Sequence, residues 1–183
     1  MNATSSLPPP SLATIAATQY RQRQRRAREV MGQRGMTVAR AESALRPWLA
    51  IACLCGADLP ELHELLADER IDQLNGTGSI TDGEARALVA RAICPRADWV
   101  APLVAARDSA LLHHHRLEGL SASRHPPEAA EVRTALANAI ALSRIAWALA
   151  FDPNGKHHLP PFNPAHPEPV EGPSPAAAEQ AAA

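Results

Sequence analysis

The sequence has few aromatic residues, a single lysine (Lys156) and no long hydrophobic run. Three tryptophans, two phenylalanines and one tyrosine are the aromatic side chains of the 183 residues. Leucine, isoleucine, valine and alanine must therefore supply most of any core. The longest apolar runs, residues 48–55 and 145–151, are far shorter than the roughly 20 residues that span a bilayer. We therefore expect a soluble protein with no membrane contact.

The sequence also has few cysteines and a net charge close to zero. Cys53, Cys55 and Cys94 form neither an even set nor a recognisable disulfide or metal-binding pattern, which favours reduced thiols in a cytoplasm. The 18 lysines and arginines nearly balance the 19 aspartates and glutamates, which argues against a general polyanion-binding protein. The dominance of arginine and alanine is typical of a bacterium with a GC-rich genome.

What the sequence does contain is a strong helical signal. It has 38 alanines, and alanine has the highest helix propensity. Thr37 is a plausible N-cap, and Asp58–Glu61 and Thr81–Glu84 have the composition of helix starts with a capping box. No run alternates as a half-buried strand would. Residues 37–151 are thus predicted to be a small all-α domain, orthogonal or bundle-like, of four to six helices.

The most strongly patterned helix is the last one, predicted over residues 128–150. Its broad apolar face predicts a central position in the bundle. The side chains expected to be largely buried there are Leu136, Ile140, Ile145, Trp147 and Leu149. An earlier helix is expected to break or restart at Pro47, because proline lacks the amide hydrogen and clashes with the preceding turn.

The N-terminal region, residues 1–36, is predicted to be a disordered extension with a basic arm over residues 21–34. It begins with a proline cluster and has too few apolar groups to offset the entropy of ordering. The arm could form a short helix, and a translation start at Met36 instead of Met1 would remove it. Its candidate nucleic-acid-binding residues are Arg21, Arg23, Arg25, Arg26 and Arg28, since arginines neutralise phosphates.

The C-terminal region, residues 152–183, is predicted to be a disordered tail rich in proline and alanine. Residues 162–172 read FNPAHPEPVEG. This segment resembles the peptide obtained when a dispersed intergenic repeat of some proteobacterial genomes is translated, and its HPEPVEG core carries the resemblance. The resemblance implies an origin for the tail without a function, so we expect the tail to be dispensable for stability and binding.

Four other motifs suggest sites but have ordinary structural explanations. Consecutive helical residues point about 100° apart, so His113–His115 cannot together face one metal ion. The same geometry separates Cys53 from Cys55. The glycine-rich loop 75–79 lacks the lysine of a phosphate-binding loop. Residues 48–66 have the outline of a helix-turn-helix, but an acidic second helix would be repelled by DNA.

Because no catalytic, metal or cofactor motif is present, the sequence leans away from an enzyme and predicts no cofactor. The leading hypothesis is a non-catalytic helical protein that acts by protein–protein interaction, with a partner or with its own copy. The alternative is a nucleic-acid-associated regulator that uses the arginine-rich arm 21–34.

Overall fold

The computed structural model describes residues 9–34, 36–75 and 81–150, and every regular element in these ranges is an α-helix. The predicted all-helical class is confirmed. None of these helices is long and apolar enough to cross a membrane. In chain order the six helices are α1 (Leu12–Arg34), α2 (Val38–Leu54), α3 (Pro60–Asn75), α4 (Asp82–Ile93), α5 (Arg96–Leu120) and α6 (Ala129–Ala148).

The structure differs from the predicted boundary at residue 36, because α1 is part of the folded unit. Ile15, Ala16 and Tyr20 of α1 are buried in the same core cluster as residues of α2 and α6. Gln19 Nε2 donates a hydrogen bond to Asn138 Oδ1 of α6 at 2.9 Å. The apolar residues of α1 are few, but α2 and α6 supply the surface against which they pack. Residues 1–8 and the predicted tail 152–183 lie outside the described residues.

Several helices begin near the residues that the sequence predicted, whereas the break expected at Pro47 is absent. The Thr37 side chain accepts a hydrogen bond from the Arg40 amide. Thr81 and Glu84 form a complete capping box, so the prediction from the capping pattern is confirmed. The break predicted at Pro47 is wrong, since α2 continues through it. The carbonyl that Pro47 leaves without a donor belongs to Ser43, an exposed residue where water can reach it.

The helices α5 and α6 make the most extensive helix–helix contact of the described chain. They are joined by the short connection 121–128, which makes them antiparallel neighbours. The buried face of α6 is rich in small residues: Ala135, Ala139, Leu142, Ile145 and Ala146. The facing helix α5 buries Ala106 and Ala110 beside its larger Leu103 and Leu117. Small side chains at such a contact let two helix backbones approach closely, and the leucines and Ile145 fill the space beside them.

This packing corrects the predicted core of the last helix. Ile145 is fully buried and Leu149 is partly buried, but Leu136, Ile140 and Trp147 are exposed. Apolar residues occur almost all round α6, so their spacing alone did not determine which face turns inward. The alanine-rich face packs against α5, and the larger side chains on the other side are left at the surface.

We predict that Ile145→Ala and Ile140→Ala will have different effects on stability. Truncating the buried Ile145 leaves a cavity and should lower the free energy of unfolding by about 2–5 kcal/mol. Truncating the half-exposed Ile140 should lower it by less than about 1 kcal/mol. Urea unfolding followed by circular dichroism measures both values. Equal losses in the two variants would contradict the observed orientation of α6.

Candidate interaction surfaces

A stripe of arginines lies along the solvent side of α1. Arg21, Arg25 and Arg28 recur at helical spacing (i, i+4, i+7), and all three are exposed, so they share one face of the helix. Arg26 is exposed as well and lies to one side of them. The acidic residue nearest this basic stripe within α1 is Glu29, whose carboxylate is 3.9 Å from Arg25 Nε across the surface. Such a solvated pair leaves the positive charge of the stripe largely in place.

Arg23, the remaining candidate arginine of the arm, packs against α2 and is not part of the exposed basic stripe. Its guanidinium carbon lies 3.3 Å from the centroid of the Trp48 ring in α2. Its Nη1 donates hydrogen bonds to Oε1 of Gln19 at 2.7 Å and to the carbonyl oxygen of Gln19 at 3.2 Å. The hydrogen bonds to Gln19 orient the Arg23 side chain within α1, and the cation–π contact joins α1 to α2. The structure therefore separates Arg23 from the other four candidates.

Acidic residues at the start of α3 lie beside the basic stripe. Gln24 of α1 donates a hydrogen bond to Glu61 Oε1 at 2.9 Å. Burial, followed by the negative charge of Glu61, raises the pKa of Tyr20 above its ordinary value. A hydrogen bond from His63 lowers the pKa of Asp58, and the charge of Arg21 lowers it slightly further. A large polyanion would thus approach the stripe from the side away from α3.

The three consecutive histidines of α5 point in different directions, as helical geometry requires. His113 and His115 are exposed, and His114 is buried. His114 Nε2 lies 3.4 Å from Glu118 Oε1, while its buried Nδ1 has no hydrogen-bond partner among the described atoms. No group of three or more metal-binding side chains occurs within residues 9–34, 36–75 and 81–150. The glycine-rich loop falls mostly outside these ranges.

A buried ion pair lies two turns before His114 on α5. Arg107 Nε is 2.7 Å from Asp108 Oδ1, and both side chains are almost fully shielded from solvent. In such a pair, the attraction between opposite charges offsets part of the free-energy cost of removing each group from water.

The three cysteines are buried and unpaired, as the sequence led us to expect. The Cys53 thiol donates to the Arg86 carbonyl oxygen at 3.4 Å. Desolvation by burial raises the pKa of Cys53 to about 11 and the pKa of Cys55 to about 12. Burial raises the pKa of Cys94 too. Thiols with raised pKa values stay protonated near neutral pH, and the protonated form is a poor nucleophile.

The exposed side of α6 carries the most extended row of large apolar side chains on a described helix. Leu136 is 40%, Ile140 50% and Trp147 73% exposed. They lie within an arc of about 40° around the helix, given 100° per residue. We call these three residues the α6 stripe. No charged residue occurs between Thr134 and Ser143, so this part of the helix surface is poorly hydrated.

A shallow surface cavity of about 380 Å³ lies at the N-terminal end of the α6 stripe, where the α5–α6 connection meets α6. It is lined by Ser121, Pro126, Pro127, Ala129, Val132 and Arg133. The cavity and the α6 stripe form one continuous surface feature, because Ala129, Val132 and Arg133 precede Leu136 on nearly the same side of the helix. Sequence reasoning missed this surface because it assigned Leu136, Ile140 and Trp147 to the core.

No protein family model, no curated protein and no solved structure matches this chain. The two candidate surfaces, the basic stripe of α1 and the α6 stripe with its cavity, are therefore interpreted from their own geometry and charge.

We predict that Arg23→Ala will destabilise the protein more than Arg25→Ala does. The Arg23 variant loses a partly desolvated cation–π contact, which should cost about 1–2 kcal/mol of unfolding free energy. The Arg25 variant loses an exposed ion pair, which should change the unfolding free energy by less than about 0.5 kcal/mol. Chemical denaturation of both variants measures the difference. Losses of the same size would show that Arg23 does not anchor α1.

Proposed function

We propose that this chain is a non-catalytic binding protein that acts by contact with another protein surface, and that α6 makes this contact. The observation that supports the proposal is the α6 stripe. Single exposed apolar residues are normal on protein surfaces. A row of leucine, isoleucine and tryptophan on one helix face, of which the part from residue 134 to residue 143 has no charged side chain, is typical of a surface that binds a partner helix or groove.

The composition of the stripe fits such a role. Tryptophan and arginine are enriched among the residues that contribute most to protein–protein affinity, and the α6 surface combines Trp147 with Arg133. The cavity beside Arg133 supplies a concave feature into which a partner side chain could insert. A helix with only alanine and polar residues on its exposed face would offer neither an anchor nor a pocket.

Site-specific photo-cross-linking in the native cell tests the proposal. A benzophenone-bearing amino acid placed at Ile140 should form protein adducts, because this position lies in the middle of the α6 stripe. The matched control is the same amino acid at Val38, an exposed apolar residue of α2 that is not part of the stripe. Adducts to protein at position 140 and their absence at position 38 would support the proposal.

Three outcomes would contradict it. Protein adducts of equal yield at both positions would indicate nonspecific cross-linking at exposed apolar sites. A lack of protein adducts at position 140 would show that the stripe contacts no protein. Adducts that disappear on nuclease treatment would assign the stripe to nucleic acid instead.

A second candidate function, association with nucleic acid, is supported by the alignment of Arg21, Arg25 and Arg28 on α1. Three exposed guanidinium groups on one helix face can contact successive backbone phosphates, whose neutralisation releases counterions. The stripe has no aromatic side chain for base stacking, so we propose contact with the backbone of a duplex without sequence selection. Arg23 is left out of this site because its guanidinium packs on Trp48.

The salt dependence of binding to duplex DNA tests this second function. Substituting glutamine at Arg21, Arg25 and Arg28 should reduce the slope of log K against log salt by about 2–3, since each phosphate contact contributes about 0.9. The matched control replaces three exposed arginines elsewhere, Arg91, Arg116 and Arg124, and should leave the slope unchanged. Equal slopes in both triple variants, or no binding by the unmodified protein, would reject the α1 site.

A reducing compartment, namely the cytoplasm, is the location that we propose for this activity. The support is chemical: all three cysteines are free thiols in the folded protein, and thiols persist where glutathione and thioredoxin keep them reduced.

A further inference from the structure

We draw no further inference here: the strongest candidate, the exposed apolar face of α6 with the shallow cavity at its N-terminal end, belongs to the surface already described, and nothing in the structure shows what covers it.

Discussion

The close contact between α5 and α6 is the constraint on which the rest of the molecule depends. The buried face of α6 consists of alanines 135, 139 and 146 together with Leu142 and Ile145, and α5 is the helix with which α6 makes its most extensive contact. A helix can turn only one face toward its neighbour. Once the small residues occupy that face, the leucine, isoleucine and tryptophan on the other side must remain at the surface. The candidate binding surface is therefore a direct consequence of how the core is packed.

Helix α1 illustrates how position on a helix gives one residue type two roles. Arg23 faces α2, where its guanidinium packs on Trp48. The same guanidinium donates a hydrogen bond to the side chain of Gln19, which lies one turn earlier in α1. Arg25, two positions further along, points to the other side of the helix and is solvated. The contact of Arg23 with Trp48 stabilises the fold, whereas Arg25 contributes positive charge to the surface. A count of arginines in the arm could not distinguish these roles, because the distinction depends on which side of α1 meets α2.

The sequence predicted the helical class and the start of several helices because those features depend on local interactions. Thr37 and the Thr81–Glu84 pair form their caps with residues only three positions away. The orientation of α6 and the packing of α1 depend on contacts between distant parts of the chain, such as Gln19 with Asn138. Hydrophobic spacing identified α6 as a helix but could not choose between an alanine-rich face and a leucine- and tryptophan-containing face. The separation of His113, His114 and His115 was predictable because helical geometry alone determines it.

The two candidate surfaces point in different directions, which determines how the two proposed functions relate to each other. Asn138 of α6 is hydrogen-bonded to α1, whereas Ile140 is the centre of the α6 stripe. Two positions apart on a helix, these side chains point about 160° away from each other. A protein bound around Ile140 on the α6 stripe would therefore leave the basic stripe of α1 uncovered. The two functions that we propose, protein contact through α6 and nucleic-acid contact through α1, therefore do not compete for the same surface.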